Sequence, residues 1–210
     1  MKKSIIIAAV ALLAVAAFAA ETNSTIGQTE AKYTAAIEGR TAEILKVLAL
    51  TDTEKMAKVH DAIITQYRAL KAWHDENDAK LKASKADTNA VAQIRASLKT
   101  VHDAFITKLS ESLTPEQVEK VKDKMTYGKV QFTFAGYLAA YPNLAEEHKQ
   151  KILELLKQAR EEAMDGGGAE EKTAIFTKCK GKINNYLSKQ GIHSGKAKAN
   201  VSATNSVPLQ

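Results

Sequence analysis

Groups capable of polar chemistry are concentrated in the run Trp73 to Asp78, which holds one histidine and three carboxylates. On a helix, His74 and Asp78 lie four residues apart and share a face, where they could jointly hold a divalent cation or ligand hydroxyls. Two such groups do not complete a metal shell, so the sequence predicts no metal site and no cofactor. His74 also interrupts an apolar stripe, which makes His74, Asp75 and Asp78 candidate ligand-binding residues. The alternative is a solvated or internally hydrogen-bonded helix end.

A second polar cluster is Asn184, Asn185 and Tyr186, near the end of the last predicted helix. Side-chain amides offer donors and acceptors together, which suits the hydroxyls of a sugar. Adjacent asparagines are disfavoured inside helices, so the pair requires a reason. Either these residues contact a ligand, or an amide ties the last helix to a neighbouring segment whose backbone needs partners.

Single residues elsewhere extend this list. Tyr127 offers an aromatic face for stacking on a pyranose ring. Arg160 and Asp165, near three consecutive glycines, could reach a ligand or cap a helix end. His60 and His102 each precede an aspartate, which allows either a facing histidine pair or a hydrogen bond between helices.

Catalytic motifs are absent from the sequence. It contains no G-x-S-x-G, H-E-x-x-H, P-loop or C-x-x-C pattern. Carboxylates are plentiful, but a glycosidase requires two of them at a defined separation, which a sequence does not provide. We therefore predict no catalytic residues and favour a protein that is not an enzyme. Cys179, the only cysteine, falls on an apolar face and forms no internal disulfide.

Helical periodicity must position these groups, and it runs through most of the chain. Six apolar stripes with spacings of three and four residues indicate helices, over residues 33–48, 56–81, 91–109, 118–125, 144–159 and 175–187. Aromatic residues are 6% of the chain, which is low for an all-β sandwich. These patterns predict an all-α fold, an irregular antiparallel bundle of five to six helices.

Helix starts and one irregular segment refine this prediction. Thr51 and Thr114 each precede Glu or Gln by three residues, the spacing of a capping box, and Pro115 suits a first helical position. Asn143 is the candidate cap of the helix near residue 144. Residues 129–134 alternate apolar and polar side chains, and this pattern predicts an extended connector crossing the bundle.

The first 19 residues are typical of a secretory signal peptide. Met1-Lys2-Lys3 precedes a short apolar run that ends in Ala17-Phe18-Ala19, an A-x-A cleavage site. The run is short for a membrane span, so we expect no stable membrane insertion after cleavage. The predicted organisation is a signal peptide over 1–19, one helical domain over 20–187 and a disordered tail over 188–210, in a periplasmic or secreted protein.

Charge argues against nucleic acid as a partner. The formal net charge is +6, but removal of Lys2 and Lys3 would leave 28 basic residues against 24 acidic ones. Three further lysines (Lys189, Lys196 and Lys198) lie in a tail without acidic residues, so the body of the protein is close to neutral. A basic footprint for nucleic acid is therefore absent from the predicted domain.

Two family resemblances arise from these motifs. The Leu-Thr-x-x-Gln/Glu helix starts resemble those of Spy-type periplasmic chaperones, over about five residues at each of two places. A longer resemblance covers residues 41–191, and its segments follow the order and spacing of an uncharacterised family of exported bacterial helical proteins loosely labelled sugar-binding. The matching segments are Gln66–Arg68, His74–Lys80, Leu113–Gln117, Met125–Gly128, Gly136–Leu138, Ala159–Asp165 and Lys180–Leu187.

The longer resemblance and the polar breaks together favour non-catalytic binding of a carbohydrate or similar polar ligand. The expected surface joins the residues His74, Asp75, Asp78, Tyr127, Arg160, Asn184, Asn185 and Tyr186. A Spy-like chaperone with an apolar concave face and a glycan-active enzyme are the alternatives. The sequence does not set the oligomeric state.

Overall fold

The fold is entirely helical over the residues that the structure, a computed structural model, describes, namely 28–194. These residues form seven helices and no strand. The helices are α1 (28–48), α2 (Thr53–Ala83), α3 (Thr88–Ser110), α4 (Pro115–Met125), α5 (Lys129–Ala140), α6 (Glu146–Met164) and α7 (Ala169–Lys189). The predicted all-α class is confirmed, with more helices than the five to six expected.

The chain divides into two compact units, with the boundary inside α1 between Glu43 and Ile44. In the first unit, the Thr41 hydroxyl donates to the Ile37 carbonyl at 2.8 Å, one turn earlier. The predicted signal peptide and most of the predicted tail lie outside the described residues, and the single domain over 20–187 stays a prediction.

The second unit consists of helices packed against their neighbours. Helix α2 packs on α3, α3 on α4, and α6 on α4, α5 and α7. One apolar core cluster lies between α5, α6 and α7, and is formed by Val130, Tyr137, Leu144, Ile152, Leu156, Ala159, Ala163, Phe176, Cys179, Ile183 and Leu187. Cys179 is buried as expected, its Sγ lies 3.3 Å from the Leu155 carbonyl, and burial raises the thiol pKa.

The helix caps agree only in part with the sequence. Thr114 accepts from the Gln117 amide and Gln117 bonds back to the Thr114 N–H, so the predicted capping box of α4 is confirmed. Helix α2 begins one residue later than predicted, and Asp52 rather than Thr51 caps it by accepting from the Lys55 N–H. The cap position of α6 is Ala145, without a side-chain hydrogen bond, and not Asn143.

The predicted extended connector over residues 129–134 is wrong, because these residues begin helix α5. Val130 and Phe134 of this segment, together with Tyr137 beyond it, are spaced by four and three residues and turn toward the core. Phe132, the apolar residue that fits only the alternation, is 82% exposed. A lone strand leaves its backbone groups unpaired, whereas a helix pairs them internally.

No helix in the described part of the chain is both long and apolar enough to cross a membrane.

Candidate functional site

At the carboxyl end of α6, side chains from two other helices contact Asp165. The Asp165 backbone carbonyl lies 2.7 Å from Nε2 of His74, and its carboxylate Oδ1 lies 3.0 Å from Nδ1 of His102. The last carbonyls of a helix have no partner within the helix and carry its negative dipole end. The last turn of α6 contains no basic residue, so His74 from α2 and His102 from α3 bring the compensating donors.

Both ring nitrogens of His74 face oxygen acceptors. Nδ1 lies 2.9 Å from Oδ1 of Asp78, while Nε2 meets the Asp165 carbonyl. An imidazole donates from both nitrogens only when it is protonated. Burial lowers the pKa of His74, but the bonds to Asp165 and Asp78 outweigh it, so the pKa lies above its ordinary value.

His102 is also held between two acidic groups. Its Nε2 lies 3.6 Å from Oε2 of Glu161, on the side opposite Asp165. The hydrogen bond to Asp165 raises the His102 pKa, and it outweighs the opposing effect of burial. His102 therefore links α3 to the end of α6, in surroundings that favour its protonated form.

The loop after α6 is shaped by this arrangement. A Cβ on Gly167 would lie 3.0 Å from the His74 ring, so the loop backbone passes close against the imidazole, which would have to give way slightly to a side chain. The Gly167 N–H donates to Glu171, and the buried Lys172 ammonium donates to the Met164 and Met125 carbonyls. These contacts fix the α6–α7 turn as one wall of a site.

Arg160 anchors the same end of α6 to α4. Its guanidinium is buried and bonds to Asp123 at 2.7 Å, Glu119 at 2.6 Å and Glu161 at 3.3 Å. Burial raises the pKa of Glu119, but the hydrogen bond and charge of Arg160 lower it by more. The pKa therefore lies below its ordinary value, which favours the ionised carboxylate. Glu161 in turn accepts from Lys122 at 2.8 Å. Arg160 is thus occupied by protein carboxylates.

Beside His102 and Asp165 lies an open cleft of about 530 Å³ between α3, α6 and α7. The residues that line it are spaced at helical intervals along each helix, so each helix presents one face to the cleft. The lining residues are Arg95, Leu98, Lys99, His102 and Asp103 of α3, Glu161, Glu162, Asp165 and Gly166 around the end of α6, and Glu171, Ala174, Ile175 and Lys178 of α7. This volume falls in the range of small-molecule sites.

Three charged side chains in this cleft have no hydrogen bond or ion pair within the described chain, namely Arg95, Glu162 and Lys178. The other charges in the lining are occupied, as in the Lys99–Asp103 pair and the His102–Asp165 bond. The cleft therefore combines charged side chains that are held by protein partners with two cations and one carboxylate that a ligand can reach.

The residues predicted around His74 are satisfied within the protein. Asp78 bonds His74, and the exposed Asp75 pairs with Lys71 one turn earlier. His74 interrupts the apolar stripe of α2 because it caps a helix distant in sequence. Of the two alternatives for His60 and His102, the hydrogen bond between helices is observed for His102, which bonds Asp165, whereas His60 bonds its neighbour Asp61.

The residues predicted near the end of α7 lie elsewhere. Asn184 accepts from the Tyr137 hydroxyl at 2.8 Å, which ties α7 to α5. The Tyr186 hydroxyl lies 2.8 Å from Nδ1 of His148, and Asn185 is exposed. Asn184 is fifteen residues into α7, roughly 20 Å along the helix from its start. The structure therefore separates this cluster from His74.

Tyr127 lies at the corner between α4 and α5 and is half exposed, with a left-handed backbone (φ 60°). It does not line the cleft. Arg95, Glu162 and Lys178, which do line it, were missed by the sequence reasoning. In the sequence they resemble ordinary solvated positions. They come together only because three separate helices each present one of them to the same cleft.

The site holds no group of three or more histidine, cysteine or acidic residues arranged for a metal, within the part of the chain that is described. Over the described residues, the fold and the cleft thus define an all-helical protein whose candidate site is lined by several charged side chains. The chain belongs to the family described as "Protein of unknown function (DUF3826)", which matches residues 34–204. No curated protein matches the sequence.

Proposed function

We propose that the protein binds a small, neutral, hydroxyl-rich molecule, such as a carbohydrate, in the cleft between α3, α6 and α7, without transforming it. The observation that carries the proposal is the cleft itself, where Arg95, Glu162 and Lys178 have no partner among the described residues and lie beside charges that are already paired. Sites built on helices fix their polar groups well, which favours a ligand of defined shape.

The charge balance favours a neutral ligand. When His102 is protonated, the form that its raised pKa favours, the lining holds four cations and five carboxylates, so neither sign dominates. Ammonium and guanidinium groups donate hydrogen bonds and carboxylates accept them, whereas a hydroxyl does both. A molecule bearing several hydroxyls therefore matches this lining better than a strongly charged one.

The occupied state of the histidine favours binding over catalysis. Nδ1 of His102 is hydrogen-bonded to Asp165, and Nε2 faces the Glu161 carboxylate at 3.6 Å. Carboxylates beside both nitrogens favour the imidazolium, which cannot accept a proton from a substrate. Its place in the network suits a positioning role. We further propose that the ligand is met outside the cytoplasm, which rests on the leader-like residues 1–19.

Calorimetric titration with a panel of neutral oligosaccharides tests the proposal. The variant Arg95→Ala/Lys178→Ala removes two exposed donors without touching the buried network. Loss of a hydrogen bond to a charged group lowers affinity by about tenfold or more, so the double variant should bind about a hundredfold more weakly.

Asn184→Ala is the control, because this residue lies toward the opposite end of α7. It should bind like the wild type. Absence of heat with every oligosaccharide would contradict the proposed ligand class. Binding that is lost in Asn184→Ala and kept in the double variant would place the site at the other end of the α6–α7 hairpin.

A further inference from the structure

The cleft between α3, α6 and α7, from here on the polar cleft, continues into a second and smaller hollow between α6 and α7. We call this smaller one the side hollow, and its volume is about 180 Å³. Three residues line both hollows, namely Glu162, Ile175 and Lys178. Because the same side chains border both spaces, the two hollows meet at these residues.

The order of the lining residues shows that the two hollows follow one another along the helices. On α7 the shared stripe is Glu171, Ile175, Lys178 and Lys182. On α6 and its end the stripe runs in the opposite order, through Asp165, Glu162, Gln158 and Leu155. Spacings of three and four residues keep each stripe on one face of its helix. From Glu171 to Lys182 the stripe on α7 extends over roughly 16 Å at 1.5 Å per residue.

The side hollow brings two further polar side chains that a ligand can reach. Gln158 and Lys182 are exposed and have no hydrogen bond or ion pair within the described chain. The Gln158 amide both donates and accepts hydrogen bonds, and the Lys182 ammonium donates them. Ala159 and Ile175 add apolar surface to the same lining. A pyranose ring matches such a lining, because it has C–H groups on its faces and hydroxyls around its edge.

The charge balance stays neutral when the side hollow is included. Lys182 is the only charged residue that the side hollow adds to the lining of the polar cleft. When His102 is protonated, the two hollows together are lined by five cations and five carboxylates. The extended lining therefore suits an uncharged chain of sugar units.

We propose that the ligand of the polar cleft is an oligosaccharide of at least two linked neutral units, one in the polar cleft and the next in the side hollow. This inference rests on the proposed function and specifies its ligand class. The linkage between the units lies at Ile175, where the two hollows meet beside Glu162 and Lys178. A single pyranose ring is much shorter than the stripe on α7, so a monosaccharide leaves Gln158 and Lys182 without a partner.

Calorimetric titration with matched pairs of one and two sugar units tests the proposal. The pairs are glucose with cellobiose, glucose with maltose, and N-acetylglucosamine with diacetylchitobiose. In at least one pair, the wild type should bind the disaccharide about tenfold or more tightly than its monosaccharide, because the second unit gains hydrogen bonds to Gln158 and to the Lys182 ammonium.

The variant Gln158→Ala/Lys182→Ala isolates the side hollow. It should bind the disaccharide about as weakly as the monosaccharide, and its affinity for the monosaccharide should equal that of the wild type. Arg95→Ala, which alters the polar cleft alone, should weaken both sugars by the same factor. The matched control is Gln150→Ala/Lys189→Ala, which removes the same two residue types from exposed positions of α6 and α7 outside both linings. This control should bind like the wild type.

The outcomes separate this inference from the proposed function. Equal affinity of the wild type for monosaccharide and disaccharide in every pair would overturn the inference and leave the proposed function standing. Undiminished disaccharide binding by Gln158→Ala/Lys182→Ala would do the same. Absence of binding by all of these sugars would contradict the proposed function and this inference together.

Discussion

Arg160→Met measures how much the buried ion network contributes to holding α6 on α4. The substitution keeps an apolar stem but removes the guanidinium that bonds Asp123 and Glu119. Breaking a buried ion pair costs about 3–5 kcal/mol. The side chains of these two acidic residues are 28% and 41% exposed, so water can partly solvate them and we expect the lower end, about 3 kcal/mol.

Urea unfolding followed by circular dichroism measures this loss, and the midpoint of thermal unfolding should fall by about 6–12 °C. The control is Lys151→Met, which breaks an exposed pair with Glu154 and should cost at most about 0.5 kcal/mol. Because Arg160 is engaged by protein carboxylates, the folded Arg160→Met variant should retain its ligand affinity. A destabilisation below about 1 kcal/mol would refute the assignment of a structural role.

Three further predictions concern single contacts. Because the pKa of His102 is raised, its protonation contributes stability that is fully present below the ordinary value of 6.5 and is lost as the pH rises from there through the raised value. His102→Gln should therefore flatten the decline in unfolding free energy over that interval, as measured by urea unfolding. Gly128→Ala should cost about 1 kcal/mol in the same assay because φ is +63°, whereas Gly181→Ala, inside α7 with open space around it, should not. Tyr137→Phe should cost about 1 kcal/mol and remove the tyrosine whose pKa burial raises to about 12, as followed by ultraviolet titration; no change in either quantity would contradict the buried hydroxyl contact.

The helices could be read from the sequence because their apolar stripes are long and their caps are local. Thr114 and Gln117 form their capping box from residues three apart. Segment 129–134 was misread because a short apolar alternation and a helical face share Val130 and Phe134. Only the absence of a partner strand decides between the two, and that is a property of the whole fold.

None of the predicted ligand-binding residues lines the cleft, because the contacts that build it join residues distant in sequence. His74 was correctly singled out as a break in an apolar stripe, but its partner Asp165 lies 91 residues later. The partner explains the break without a ligand. Arg95 and Lys178 gave no signal at all, since a charged residue on an exposed helix face is the ordinary case.

The most direct test of the central claim is to locate a bound oligosaccharide by nuclear magnetic resonance. Backbone amide shifts are recorded during titration with whichever oligosaccharide gives heat in calorimetry. The account predicts shifts concentrated at Arg95, His102, Glu162 and Lys178, around the polar cleft. Shifts concentrated instead at Asn184 and its neighbours, or spread evenly over the surface, would contradict it.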